Sequence, residues 1–155
     1  MAMKESTRFN DFEELVEGRI RGNQLMLSGH AITPEEARLL WSSPRLLEVN
    51  WLDLEDNNLG DQGVAELAQS EHVNNIQMLS LTKNSITDEG LRQLAASPHL
   101  GKLKRLHLKD NSIEGEGVIA LFHSQTLENL QIFHINEGWS CRKREGWRYR
   151  ARDSK

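Results

Sequence analysis

The 155-residue sequence predicts an α/β solenoid with a parallel sheet along its concave side and helices along its convex side. Three observations lead to this prediction. A pattern recurs every 27 residues, the first half of each repeat alternates apolar residues, and the second half carries apolar residues at helical spacing. Because a single repeat cannot bury its own apolar face, neighbouring repeats are expected to stack on one another.

The repeated pattern aligns without gaps over three segments. They read Val49-x-x-Leu52-x-Leu54-x-x-Asn57-x-Leu59-x-x-x-Gly63, Ile76-x-x-Leu79-x-Leu81-x-x-Asn84-x-Ile86-x-x-x-Gly90 and Leu103-x-x-Leu106-x-Leu108-x-x-Asn111-x-Ile113-x-x-x-Gly117. A degenerate copy with His30 in the asparagine position precedes them, and one with Gly138 in that position follows. The pattern resembles the leucine-rich repeat family, and its period is similar to that of the ribonuclease-inhibitor-like subclass. The resemblance implies a scaffold, adaptor, inhibitor or effector that binds a protein and has no chemistry of its own.

Each repeat is predicted to run through a strand, a turn and a helix. Leu52 and Leu54 alternate as in a short strand, with both side chains on one face. A side-chain amide donates and accepts hydrogen bonds, so the asparagines at 57, 84 and 111 are expected to stack and satisfy buried backbone groups. Val64 and Leu67 stand three residues apart, as on the inner face of a helix. The Ser-Pro pairs at 43–44 and 97–98 are expected to end two helices, because proline cannot continue one.

The chain is predicted to form one domain with both ends of the stack covered. Residues 1–21 are assigned to an N-terminal capping helix, because apolar residues stand at helical spacing at positions 9, 12, 15, 16 and 20. Residues 22–139 hold the repeats, three full and two degenerate. Residues 140–155 form a basic, aromatic C-terminal cap or tail. Within it, residues 147–152 alternate apolar and basic side chains, as an edge strand closing the last repeat would.

Composition excludes several classes of protein. Hydrophobic residues make up 37% of the chain and charged residues 27%, which is typical of a soluble globular protein. The single cysteine, Cys141, allows neither an intrachain disulfide nor a zinc cluster of several thiolates. The first residues contain no apolar signal segment, and no stretch of about 18 apolar residues occurs. We therefore expect a cytoplasmic protein without a membrane span.

The residues between the strand leucines are predicted to point to the concave surface. They form five adjacent rows, namely Gln24, Met26, Ser28; Trp51, Asp53, Glu55; Met78, Ser80, Thr82; Arg105, His107, Lys109; and Ile132, His134, Asn136. Any solvated strand face needs polar residues, but aromatic, methionine and isoleucine side chains in one column favour a protein-binding surface. The predicted protein contacts are Trp51, Asp53, Glu55, Met78, Arg105, His107, Lys109 and His134.

No catalytic, cofactor or metal site is predicted. His107 and His134 stand 27 residues apart and should be neighbours, but no third metal ligand is close, and two surface histidines explain them better. Cys141 is followed by three basic residues at 142–144, which predicts a lowered pKa for its thiol. Even so, an incidental surface thiol is favoured over a nucleophile. The glycines form no phosphate-binding loop. We therefore expect that the protein is not an enzyme and uses no cofactor.

The C-terminal tail concentrates positive charge. Residues 140–155 carry seven Lys or Arg against two acidic residues, whereas residues 1–139 carry 12 against 21. Three interpretations remain open. The tail caps the stack by docking on the acidic body, it binds nucleic acid or an anionic surface, or it is a disordered protein-binding segment. The contacts in the second interpretation are Arg144, Trp147, Arg148, Tyr149 and Arg150. The resemblance adds one alternative function, a regulator of a small GTPase, and the sequence does not identify the partner.

Overall fold

The computed structural model describes residues 2–136, 139–143 and 147–151. The helices are α1 (Ala2–Arg19), α2 (Pro34–Trp41), α3 (Gly60–Gln69), α4 (Asp88–Ala95) and α5 (Glu116–Phe122), with 3-10 turns at Pro44–Glu48 and Glu71–Val73. The strands are β1 (Ile20–Arg21), β2 (Gln24–Met26), β3 (Trp51–Asp53), β4 (Met78–Ser80), β5 (Arg105–His107), β6 (Ile132–Asn136), β7 (Trp139–Lys143) and β8 (Trp147–Ala151).

These strands form one sheet in chain order, from β1 to β8. Strands β2 to β6 are parallel, and their central residues pair in succession: Leu25, Leu52, Leu79, Leu106 and Phe133. Each residue therefore pairs with the one 27 positions later, which is the step of the sequence repeat. The prediction of a parallel α/β sheet is confirmed. The outer pairs β1–β2, β6–β7 and β7–β8 are antiparallel.

The core lies between the parallel strands and the helices that follow them. The strand leucines Leu52, Leu79 and Leu106 are fully buried, and Val64 and Leu67 of α3 are buried in the same cluster. Burying a leucine contributes about 1.5–3 kcal/mol. Each repeat covers the apolar side chains of the next. An isolated repeat would therefore not gain this stabilisation.

The stacked asparagines bond as predicted. Nδ2 of Asn84 donates to the carbonyl oxygens of Leu54 at 2.8 Å and Thr82 at 3.0 Å, and its Oδ1 accepts from the amide of Leu59 at 3.1 Å. Asn57 and Asn111 bond to the backbone of their own and the preceding repeat in the same way. Backbone groups that the turn would otherwise leave unpaired inside the protein are therefore satisfied.

A second ladder, made of serines, joins the C-terminal ends of the helices. The hydroxyls of Ser70, Ser97 and Ser124 donate to carbonyl oxygens of the preceding repeat at 2.5, 2.6 and 2.6 Å. The sequence predicts that the Ser-Pro pairs end the helices, but α2 and α4 end two residues earlier, at Trp41 and Ala95. The serines recur every 27 residues, so the repeat itself carried the signal for this ladder.

The N-terminal cap differs from the prediction at its end. Helix α1 stops at Arg19, and Ile20, which helical spacing placed on the apolar side of the helix, begins β1 and pairs with Leu25. The chain reverses at Gly22, whose φ of 61° glycine adopts readily. Ile20 therefore pairs with the first repeat strand and does not extend α1 by another residue. Within α1, Phe12 and Val16 are buried.

The strand that closes the last repeat is β7, and this corrects the prediction that residues 147–152 pair with it. β7 pairs with β6, and β8 pairs with β7 on its outer side. The alternating segment is thus an edge strand one position further out. Arg144, one of the predicted tail contacts, lies outside the described residues. Trp147, Arg148, Tyr149 and Arg150 lie on β8.

The prediction of a surface thiol with a lowered pKa at Cys141 is wrong. Cys141 pairs with Phe133 on the core side of the sheet, and its side chain is fully buried. Burial disfavours the thiolate and raises the pKa of Cys141 to about 11. The neighbouring Arg142 and Lys143 are exposed and do not offset this burial. Strand alternation, rather than proximity in sequence, decides the environment of the thiol.

Candidate functional site

The side of the sheet that carries no helices is here called the open face. It consists of the five predicted rows on β2–β6 and the turn residues after each strand. Pairing continues beyond the strands, because the amide of Asp56 donates to Thr82 O and that of Lys83 to Lys109 O, both at 2.9 Å. The third residue of each row, such as Glu55, is therefore held beside its counterpart in the next repeat. The rows lie about 4.8 Å apart.

The first column of the open face is its most apolar part. Trp51 pairs with Met78, Met78 with Arg105, and Arg105 with Ile132. Trp51, Met78 and Ile132 are half-buried, whereas Arg105 is exposed. An aromatic ring, a thioether and a guanidinium on adjacent strands provide the residue types that carry most binding energy at protein interfaces.

The second row of the open face, which contains Trp51, is acidic, and the third row is neutral. Asp53 ends the strand of Trp51, Glu55 lies in the turn after it, and Oδ1 of Asp53 accepts from the amide of Glu55 at 3.0 Å. In the next row, Ser80 and Thr82 are only 9% and 8% exposed, although they occupy surface positions in the predicted pattern. Longer side chains stand at the paired positions on both neighbouring strands, Asp53 and His107 beside Ser80.

The fourth row carries the positive charge of the open face, at Arg105 and Lys109, and the fifth row lies beside it. His107 and His134 are neighbours, as predicted, and their rings stack with centroids 5.0 Å apart and planes 11° from parallel. Desolvation lowers the pKa of both imidazoles, and Arg105 lowers the pKa of His107 further. Near neutral pH the pair is therefore held in its uncharged form beside exposed Arg105.

The repeats that build this sheet match the model of a known family. A family model described as Leucine Rich repeat matches residues 52–68, 74–95 and 99–122. These three segments match leucine-rich repeats. Each match begins at or near a strand of the parallel sheet and runs through the helix that follows. Repeats of this kind generally mediate protein–protein interactions. A comparison with curated proteins found no match.

The open face continues onto the C-terminal hairpin. Ile132 pairs with Arg142 and His134 with Ser140 across β6 and β7. Across β7 and β8, Arg142 in turn pairs with Arg148, and Ser140 with Arg150. The register thus places Arg142 at an open-face position beside the basic row, and strand positions 148 and 150 pair with Arg142 and Ser140. Sequence interpretation treated this tail separately, although the alternation of Ser140 and Arg142 around apolar Cys141 carried the signal.

The structure brings the predicted protein contacts into two groups. Trp51, Asp53, Glu55 and Met78 lie together on β3, β4 and the turn after β3, while Arg105, His107, Lys109 and His134 lie together on β5, β6 and the turn after β5. Ser80 and Thr82 separate the acidic row from the basic row. The face is therefore polarised across the strands, with negative charge on one side and positive charge on the other.

The described part of the chain also bears on metal binding and on membrane crossing. No group of three or more His, Cys, Asp or Glu side chains there is arranged to hold a metal ion. The stacked histidines are thus a pair without a third ligand among those residues. No described helix has the length and apolar character needed to cross a membrane.

Proposed function

We propose that this chain is a non-catalytic adaptor, scaffold or inhibitor that binds a protein partner through its open face. One observation carries the proposal. Strand register puts Trp51 beside Met78 on a helix-free sheet surface and places an acidic row and a basic row on either side of the neutral strand. Leucine-rich repeats generally mediate protein–protein contacts, which supports binding as the role of this surface.

The finer family features belong to the same proposal. The 27-residue period, with one helix in each full repeat, supports the ribonuclease-inhibitor-like subclass and a curved stack in which the open face is concave. Five parallel strands span about 20 Å and offer about three positions each, which is about 10 Å along a strand. A surface of this size fits one helix or loop of a partner.

The absence of catalysis is also proposed, and two features support it. The thiol of Cys141 is buried, and burial raises its pKa to about 11, so it is a poor nucleophile near neutral pH. His107 and His134 stack on each other, and no third group completes a metal set among the described residues. Neither arrangement provides an activated nucleophile or a metal-bound water.

The experiment that tests this proposal compares matched surface variants in binding to a partner captured from lysate. Trp51→Ala and Arg105→Ala each remove one side chain from the open face. Ile119→Ala and Arg38→Ala are the controls, since Ile119 is exposed on α5 and the Arg38 side chain is about half exposed on α2. We expect each open-face variant to bind at least about tenfold more weakly, because interface tryptophan and arginine carry most binding energy. Unchanged binding by the double variant Trp51→Ala/Arg105→Ala would overturn the proposal.

Point variants are preferable to removing residues 140–155. β7 pairs with β6 and buries Cys141 in the core, so truncation at residue 139 removes a structural strand along with the tail. Loss of binding by the truncated chain would therefore report unfolding as readily as a lost contact.

A further inference from the structure

We propose that the partner presents an acidic polypeptide segment to the side of the open face formed by β5 to β8. This inference rests on the proposed function and names the chemistry of the partner at that surface. It also assigns the basic tail to the binding surface, as a continuation of the sheet.

The first support is the contrast between the arginines on the two sides of the sheet. On the helix side, Arg38 pairs with Glu66 at 3.3 Å, and Arg45 and Arg92 each pair with two glutamates. On the open face, Arg105 and Arg142 are exposed and form no ion pair with any residue that the structure describes. These three arginines of the helix side are paired within the chain, while the open face keeps two guanidiniums available to an external carboxylate.

The second support is the register of the C-terminal hairpin. Arg142 pairs with Arg148, and Arg150 pairs with Ser140. The register therefore runs from Arg105 on β5 through Arg142 on β7 to positions 148 and 150 on β8, within one continuous sheet. From β5 to β8 there are three strand spacings, or about 14 Å, which an extended chain crosses with four or five residues. A short acidic segment running across the strands would meet several of these positions.

The same register argues against nucleic acid as the occupant. Single-stranded nucleic acid is held by aromatic rings interleaved with cations on one surface. Here positions 147 and 149 pair with Lys143 and buried Cys141, whereas position 148 pairs with Arg142, so the register separates the two sets of positions. The half-buried ring of Trp51 lies beside Asp53 and Glu55, which would repel a phosphate backbone. An acidic polypeptide needs no such rings.

The histidine pair provides an independent readout. The charged groups that act on His107 are Arg105 on its own strand and the carboxylates of Asp53 and Glu55 across the sheet. His134 is influenced by His107, Arg142, Arg105 and Lys109. Both pKa values are lowered in the free protein, so the rings are neutral near pH 7 and gain charge as the pH falls. A bound carboxylate segment favours the charged rings, so its affinity should rise on acidification.

The experiment is a fluorescence anisotropy titration of the full chain with a labelled eight-residue peptide of alternating Glu and Ser. We expect the double variant Arg105→Glu/Arg142→Glu to weaken binding at least about tenfold at low salt. The control is Arg38→Glu/Lys102→Glu, which changes net charge equally at two exposed positions away from the open face. This control should change affinity by less than about twofold, and circular dichroism checks that both variants are folded.

The pH arm uses the same probe. Between pH 7.5 and pH 5.5 the affinity of the wild-type chain should rise by about threefold or more, while His107→Gln/His134→Gln should lose this increase. Glutamates remain largely ionised over this range, so the change reports the protein. An affinity that does not depend on the histidines, or a control variant as weak as Arg105→Glu/Arg142→Glu, would overturn the inference.

Other occupants give distinct results. A single-stranded oligonucleotide of equal charge that binds more tightly than the peptide through the same arginines would assign the surface to nucleic acid. A dimer in sedimentation that dissociates in Arg105→Glu would assign it to a second copy, with Asp53 and Glu55 of one chain facing β5 of the other. Either result overturns the inference. If Trp51→Ala weakens the captured partner but Arg105→Glu/Arg142→Glu does not, the proposed function stands and this inference fails.

Discussion

At the scale of single residues, the buried polar positions determine how repeats join. Asn84 is fully buried and bonds to three backbone groups, two of them in the preceding repeat. The sequence identifies these buried asparagines, because one recurs at a fixed position in each full repeat. It does not reveal the environment of Cys141, which lies outside the repeat and depends on the pairing of β7.

The variant Asn84→Ala tests the asparagine ladder. It leaves the amide of Leu59 without its acceptor and removes two donated bonds, so we expect the free energy of unfolding to fall by about 2 kcal/mol. Urea unfolding measures the change. The matched control is Asn129→Ala, whose amide donates to Gly101 O at an exposed site and should matter by less than about 0.5 kcal/mol. Equal losses in both variants would show that the ladder contributes no more than a surface bond.

Thiol labelling tests the position of Cys141. Because the side chain is buried and its pKa is raised to about 11, Ellman's reagent at pH 8 should label the native chain at least about 100-fold more slowly than the urea-unfolded chain. The unfolded chain serves as the internal control, since its thiol has an ordinary pKa. Rapid stoichiometric labelling of the native protein would mean that β7 does not cover the last repeat.

At the scale of elements, successive helices approach closely through glycine. A Cβ atom built on Gly117 would lie 2.7 Å from Cβ of Leu91 and 2.9 Å from Cα of Asp88, so α5 packs on α4 without room for a methyl group. The sequence shows that glycine recurs at this position of each full repeat, but it does not show why glycine is needed there. It depends on the distance between neighbouring helices, and sequence periodicity does not specify that distance.

The substitution Gly117→Ala therefore separates packing from helix propensity. Alanine favours a helix by up to about 1 kcal/mol over glycine, but the contact with α4 should outweigh this and lower stability by about 1–3 kcal/mol. Gly18→Ala in α1 is the control, since a Cβ there has open space, and we expect it to be neutral or stabilising. Thermal and urea unfolding compare the two. A more stable Gly117→Ala protein would contradict the close approach of α4 and α5.

The elements also show where prediction from sequence succeeds. The strands, helices and register of the three full repeats follow from a pattern that recurs in step, because every strand must pair with the residue 27 positions later. The two ends lack that pattern. Ile20 satisfies helical spacing yet pairs with β2, and β7 was not predicted because residues 139–143 have no counterpart in the repeats.

At the scale of the whole molecule, charge is divided between the two sides of the sheet. Ion pairs on the helix side join residues of neighbouring repeats, as between Arg38 and Glu66 or Arg92 and Glu116. The open face is instead polarised, from Asp53 and Glu55 to Arg105 and Arg142. Sequence could predict the rows of this face, since they follow from strand alternation. It could not predict that the basic tail extends them, since that depends on antiparallel pairing outside the repeat.

The central claim is that a protein partner contacts the open face, and site-specific photocrosslinking tests it most directly. A photoreactive phenylalanine analogue replaces Met78 on the open face in one protein and Ile119 on α5 in another, and each is irradiated in native lysate. We predict that one partner crosslinks from position 78 and not from position 119. Crosslinking of the captured partner from position 119 alone would place the binding site among the helices and contradict the account.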